Sequence, residues 1–354
     1  MDKKICVING DGIGPEVMAE AIKVLNNIAK KYGHNFQYVE ALAGGVAWDE
    51  CGEHLPEKTL EIANDSDAIL FGSIGGPVSD QDKPKWKDCE KNALLAMRKY
   101  FDLFTNLRPS TVFKPLKNIS VLKPELVGNG FDILIIRELT GGIYFGGHKT
   151  KNGVAEDIMK YSEAEVRRVA KVAFEAAMKR KKFLISVDKA NILDCSVLWR
   201  KVVNEVAEDY PQVKLQHMYV DNAAMQLVKN PQEFDVIVTG NMFGDILSDL
   251  SSTFAGSLGL LASASLNESN FGMYEPSGGS APDIAGKGIA NPIAQILSVA
   301  MMLKYSFGLE KESDNIEQAV IKILEQDYRT GDIWEQGCQK IGTKQMGDKI
   351  CGNI

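Results

Sequence analysis

Two apolar patterns alternate along this chain. Short apolar runs occupy residues 4–8, 36–42, 68–71, 132–136, 183–187, 214–220 and Val236–Thr239. Their length and branched side chains predict strands. Between them lie amphipathic stretches. Residues 16–32 carry Val17, Ala21, Val24, Leu25, Ile28 and Ala29 at helical spacing. Residues 162–181 open with Ser162 and Glu165, the spacing of a capping box, and close with basic residues 179–182, which suit a helix C-terminus. The alternation predicts an α/β fold with a mainly parallel sheet. Residues 256–279 break the pattern: they are rich in Ser, Gly and Asn and predict loops, before helical patterns resume from Asn291. A closing helical block can pack back on the first sheet. The expected organisation is therefore a discontinuous first domain, 1–103 plus 257–354, with a second domain, 104–256, inserted in it.

Composition removes several classes. The 354 residues are 45% hydrophobic and 25% charged, which is ordinary for a globular chain and excludes disorder and collagen-like repeats. A net charge of -7 disfavours a generic nucleic-acid or anionic-membrane binder. Six scattered cysteines form no C-x-x-C pair and read as reduced thiols, so a cytoplasmic location is expected. The apolar stretch after Met1 is too short for a signal peptide, and no run approaches the roughly 18 residues of a membrane span. Four histidines without an H-e-x-x-h pattern argue against the common zinc hydrolases. A Walker A loop and a nucleophile elbow are both absent.

Several clusters carry candidate chemistry. Asn9-Gly10-Asp11-Gly12-Ile13-Gly14-Pro15 joins the first strand to the first helix. Its glycine spacing departs from the dinucleotide fingerprint, leaving open a phosphate or cofactor role and a tight turn alone. Asp245 and Asp249 are four apart and share one helix face, where two carboxylates suit a hard divalent cation. Asp221 closes another strand and can supply a third oxygen donor. Dipole-favoured aspartates and an N-cap are the competing reading. Arg137 and Lys189 follow apolar strands, where open α/β sheets bind ligands. With Arg98 and Arg108, Arg137 can form a clamp for a di- or tricarboxylate, whereas any one of them alone reads as a surface ion pair. Tyr144 sits in a glycine-rich turn, where a buried, hydrogen-bonded tyrosine is the default.

Taken together, the chain resembles the β-decarboxylating dehydrogenases of (2R)-hydroxy acids, the isocitrate/isopropylmalate dehydrogenase family. The resemblance covers essentially the whole chain. It rests on Gly10-Asp11-Gly12-Ile13-Gly14-Pro15-Glu16-Val17, Asn106-Leu107-Arg108-Pro109, and Arg137-Glu138-Leu139-Thr140-Gly141-Gly142-Ile143-Tyr144-Phe145-Gly146. It rests equally on Val187-Asp188-Lys189-Ala190-Asn191, the segment from Gly240 to Leu250, and the segment from Gly279 to Pro292. It implies a two-domain, non-Rossmann fold with a shared inter-domain core, an active site in the cleft, and a homodimer with composite active sites.

Carried over by residue, the resemblance gives Arg98, Arg108 and Arg137 the malate carboxylates. Mg²⁺ or Mn²⁺ goes to Asp245 and Asp249 of one subunit with Asp221 of the other, so Asp221 also borders the substrate. Lys189, from that other subunit, and Tyr144 manage protons. NAD takes Gly279, Ser280, Ala281, Pro282, Asp283, Ile284 and Asn291 at its adenosine end, and Ile74, Gly75 and Gly76 near the nicotinamide. Gly278 replaces a histidine that some relatives carry, so one stacking contact on adenine is absent. Lys189 must accept the C2 hydroxyl proton, and Tyr144 is the candidate acid at C3. Leu94 and Leu95, before Arg98, offer a branched alkyl group an apolar wall where an isocitrate enzyme needs a polar group. The expected substrate is 3-isopropylmalate, on the route to leucine. The same chemistry on tartrate, D-malate or homoisocitrate is the nearest alternative. A Mg²⁺-dependent phosphoryl transfer lacks a lysine-bearing phosphate loop, and a non-enzymatic relative would not need every proposed catalytic side chain.

Overall fold

The computed structural model describes all 354 residues. Contacts divide the chain into two compact units, Met1–Phe101 with Gly256–Ile354, and Asp102–Ala255. The boundaries therefore fall at 101/102 and 255/256, where the sequence pattern had placed them at 103/104 and 256/257.

In the first unit the strand order is Asn35–Glu40, Asp2–Gly10, Ala68–Ser73, Gly272–Pro276, Ala262–Leu266. All adjacent pairs are parallel except the last. That antiparallel pair lies inside the stretch expected to be loops. Ala262, Ser263, Ala264 and Ser265 are all buried, so small side chains stand where close packing leaves no room for branched ones. The helix Gly14–Tyr32 buries Val17, Met18, Ala21, Val24, Leu25 and Ile28 as one stripe. It ends at Gly33, whose left-handed backbone (φ 72°) lets its N–H reach the Ala29 carbonyl. The helix Ile293–Tyr305 is buried on nearly every side, which explains its apolar circumference.

The second unit has strand order Thr105–Val112, Phe131–Glu138, Val236–Thr239, Phe183–Asp188, Lys214–Tyr219. Its first pair is antiparallel and the rest parallel. Ile133, Ile135, Val187, Ile237, Leu227 and Leu247 share its core. Ser162 caps the helix Glu163–Met178, and both halves of the capping box form. Because the helix stops at Met178, residues 179–182 lie past its last turn. There Arg180 does something the periodicity did not foresee: it bonds Asp132 and Asp235, each at 2.7 Å. A separate hairpin, His148–Lys151 with Val154–Asp157, is exposed at every strand position and turns through Asn152 and Gly153, both at positive φ. No helix of either unit is long and apolar enough to cross a membrane.

Candidate active site

In the first unit, the glycines of the opening motif serve backbone packing. A Cβ on Gly10 would lie 1.9 Å from the Ser73 carbonyl oxygen, and one on Gly12 would lie 1.9 Å from that of Ser280. The Ile13 N–H donates to the Ser280 carbonyl at 2.8 Å. Asp11, buried, accepts the N–H groups of Gly45, Val46 and Gly75 on its carboxylate. Burial raises its pKa, and those three bonds pull it back. The motif thus fastens two predicted cofactor segments, around Ile74 to Gly76 and around Gly279 to Ile284, to one turn. The tight turn is what the structure shows, and it acts by holding other loops.

Beside this turn lies a groove open to solvent, walled by Ile13, Val17, Leu258, Ile284, Ile289 and Ala294. Apolar walls with a few polar groups are the usual form of a small-molecule site. Gly279, Ala281, Ile284 and Asn291 line it; Ser280 is buried, and Pro282 and Asp283 are exposed. Asn291 caps the Ile293 N–H and donates to Asp332, which also accepts from Ser257. Asp332 escaped sequence reasoning because it is remote in the chain from the glycine-rich segment, and Ser257 because one serine in a serine-rich stretch carries no sign of its own. Gln295 also lines the groove, and both polar atoms of its buried amide lack a partner. An orphaned amide in an apolar groove fits a ligand with polar edges.

Leu94 and Leu95 lie on a π-helical turn, Lys91–Leu95, that leads into the α-helix Ala96–Tyr100. Both leucines are half-buried. Arg98 is buried, and its guanidinium donates to Glu275 at 2.9 Å while its Nε has no partner. Glu275 therefore sets the position of Arg98 and leaves it donors to spare. Removing one member of such a buried pair costs about 3–5 kcal/mol.

The second unit collects the other charged residues. Arg137 ends its strand buried, and Asn241, at the start of the helix Asn241–Ser252, accepts from its Nε at 3.0 Å and its Nη2 at 2.7 Å. Arg137 Nη1 bonds Asp245. Arg108 donates to Asn106, to Ser248 and, at 3.2 Å, to Asp249. Asp245 lies a full turn inside its helix, so the reading of a first-turn dipole aspartate fails for it. Its other oxygen accepts from the Tyr144 hydroxyl at 3.0 Å. Burial first, and Asp245 next, raise the pKa of Tyr144, which favours the protonated phenol. Tyr144 is partly exposed, against the default of a buried tyrosine.

Lys189 follows the strand Phe183–Asp188 and donates to Asp221 at 2.9 Å. Asp221 is the second residue of the helix Val220–Lys229, with Tyr219 at the N-cap, so an N-cap role for Asp221 is excluded. The Lys189 hydrogen bond lowers its pKa. Asp188, almost fully buried, takes both Nε and Nη2 of Arg200, fixing the strand end from which Lys189 projects. No group of three acids, histidines or cysteines poised for a metal occurs within one chain. Asp245 and Asp249 provide two hard oxygen donors on one helix face, and a divalent cation there needs donors from elsewhere.

The α/β fold thus carries paired charges on its second-unit strands, Arg108 with Asp249 and Arg137 with Asp245. A family model described as isocitrate/isopropylmalate dehydrogenase matches residues 4–350, and the chain belongs to that family. Among its relatives, the 3-isopropylmalate dehydrogenase of Clostridium acetobutylicum is 54% identical over 355 residues, covering 99% of each chain. That of Geobacter metallireducens is 55% identical over 354 residues, covering 98% of each. Among solved structures, the isocitrate dehydrogenase of Methylococcus capsulatus has a TM-score of 0.86 at 33% identity, with 99% of each chain covered. The β-decarboxylating dehydrogenase of Thermococcus kodakarensis has a TM-score of 0.80 at 36% identity, covering 99% of this chain and 96% of that one.

Proposed function

We propose that this chain catalyses the NAD⁺-dependent oxidative decarboxylation of (2R,3S)-3-isopropylmalate to 4-methyl-2-oxopentanoate and CO₂, in leucine biosynthesis. The observation that carries the choice of substrate is the pair Leu94 and Leu95, one helical turn ahead of Arg98, at full-length identities of 54–55% to enzymes bearing that name. Arg98, Arg108 and Arg137 hold the two carboxylates, bidentate where the guanidinium plane allows. Arg108 bonds Asp249 and Arg137 bonds Asp245, so a carboxylate already orients each guanidinium.

Asp245 and Asp249, with Asp221 of a second copy, hold Mg²⁺ or Mn²⁺, and the groove around Gly279 to Asn291 holds NAD, so that when bound the cation supplies Lewis acidity at the C2 oxygen and the nicotinamide a hydride acceptor. Lys189, once its ammonium has given a proton to solvent, accepts the C2 hydroxyl proton as the neutral amine, directly or through water. Tyr144, kept as a phenol, donates a proton to C3 after CO₂ has left. The protein works as a homodimer, because Lys189 and Asp221 pair with each other in one chain and serve the Asp245 of the next. The test is NADH formation from 3-isopropylmalate, NAD⁺ and Mn²⁺, with D-malate, tartrate and homoisocitrate in parallel. A higher kcat/KM for any of those three overturns the choice of substrate.

Two predictions follow from these assignments. Leu94→Ser should reduce the preference for 3-isopropylmalate over D-malate by roughly tenfold or more, since each methylene contact is worth about 1–3 kcal/mol. An unchanged ratio of kcat/KM values places the alkyl pocket elsewhere. Asp283 is assigned the adenosine ribose 2′-hydroxyl, and its carboxylate repels a 2′-phosphate. NAD⁺ should be preferred to NADP⁺, and Asp283→Ala should narrow that preference about tenfold. Steady-state kinetics with both cofactors checks this, and a preference that survives the substitution removes Asp283 from the contact set.

A further inference from the structure

We infer that Asn241 is a positioning residue that sets two parts of the machinery through one carboxamide: the Arg137 guanidinium and the turn that carries Tyr144. The inference rests on the roles proposed above for Arg137 and Tyr144.

Asn241 is 1% exposed, and all four hydrogen-bonding positions of its side chain are filled. Its oxygen takes two donors of Arg137, at 3.0 and 2.7 Å. That fork fixes the guanidinium plane, because turning it about the Cδ–Nε bond would carry Nη2 away from the shared acceptor. Its nitrogen donates to the carbonyls of Leu139 and Gly141, each at 3.0 Å. The same turn is gripped from its N–H side by Glu138, which accepts from the Thr140 N–H, the Thr140 hydroxyl and the Gly141 N–H. Tyr161 closes the arrangement. Its hydroxyl accepts from the Asn241 N–H at 2.8 Å. Its ring also occupies the space beside Gly142 and Gly240, where a Cβ would fall 2.4 and 2.9 Å from the hydroxyl. Three residues after Gly141, the chain presents Tyr144 to Asp245.

One side chain thus couples a carboxylate-binding cation and a proton donor, each about a hundred positions from it in sequence. A buried amide with every bond made has one orientation, so neither partner can drift alone. Displacing a reacting group by about 1 Å can cost on the order of 100-fold in rate.

The test uses the full chain with Mn²⁺, NAD⁺ and 3-isopropylmalate, comparing wild type with Asn241→Ala and Asn241→Asp. Thermal melts and the fraction of folded protein are measured for each. Asn241→Ala deletes both links, so kcat should fall at least tenfold and KM for the hydroxy acid should rise about tenfold. Asn241→Asp keeps an acceptor for Arg137 but turns an oxygen toward the Leu139 and Gly141 carbonyls. Its kcat should fall as far, while its KM stays closer to wild type. Exchange of the C3 protons of 4-methyl-2-oxopentanoate in D₂O should slow in both variants, which loss of folded protein alone does not produce once rates are normalised. Either variant is decisive if the other does not fold. Values of kcat and KM within about twofold of wild type, per folded molecule, overturn the inference. An inactive wild type overturns the proposed function instead.

Discussion

Lys189→Met should lower kcat by about 10²–10⁴-fold, with a much smaller effect on the KM for NAD⁺. Most of the apolar stem is kept, so packing changes little, while the amine proposed to accept the C2 proton is gone. In the structure, Lys189 is anchored at both ends: its N–H donates to Ser196 at 3.0 Å, and its ammonium to Asp221 at 2.9 Å. Its strand end is fixed by the Asp188–Arg200 pair. Such anchoring is what a proton-transfer group requires, because transfer efficiency depends on reach before it depends on basicity. Losing the ammonium also leaves the exposed Asp221 without its partner, which water readily compensates. The expected result is thus a defect in turnover with little loss of stability. A kcat within about threefold of wild type, with the fold intact, assigns the proton to another group.

Most of the fold could be read from apolar patterning, and its failures have separate causes. The strand Phe131–Glu138 announces itself through Ile133, Leu134, Ile135 and Ile136, all nearly free of solvent. Its antiparallel neighbour Thr105–Val112 does not, because Asn106, Arg108, Pro109 and Ser110 interrupt any period. Pro109 pairs across from Leu134 nonetheless, and Arg108 sits in a strand because its guanidinium finds Asn106, Ser248 and Asp249. A hydrogen-bonded arginine stands where an apolar residue would keep the period, and the pattern is lost there. In the strand Ala262–Leu266 the cause is packing: burial of every side chain selects Ala and Ser, which carry no strand signature.

The candidate site divides in the same way. Charged residues proposed for a direct chemical task, such as Arg137 and Asp245, stand out because charge beside apolar residues is costly without a partner. The groups that aim them do not. Glu275 holds Arg98 from 177 positions away, and Asn241 holds Arg137 from 104 away. A neutral asparagine in a helical pattern carries no local sign of that task. Only the folded chain shows that Glu138, fully buried, spends its carboxylate on one turn and has its pKa raised by burial in doing so.

Mixing two inactive variants should restore activity, and this is the largest gain expected of any experiment on this chain. Asp245 lies on the helix Asn241–Ser252, while Lys189 and Asp221 bond each other at the ends of neighbouring strands. Within one chain no third acid joins Asp245 and Asp249 as a metal-binding group. If each site draws Asp245 from one subunit and Lys189 with Asp221 from the other, a two-fold dimer holds two composite sites. Lys189→Met and Asp245→Asn, each nearly inactive alone, are unfolded and refolded together in equal amounts. Every heterodimer then has one site with both lesions and one with neither. Random pairing makes about half the dimers mixed, so roughly a quarter of wild-type activity should return. Adding an excess of the Asp245→Asn chain should reduce that share, because fewer mixed dimers form per chain. If one subunit supplied both residues to its own site, every site would carry a lesion and nothing would return. A mixture no more active than its components, with subunit exchange confirmed by differently tagged chains, rules out the composite site.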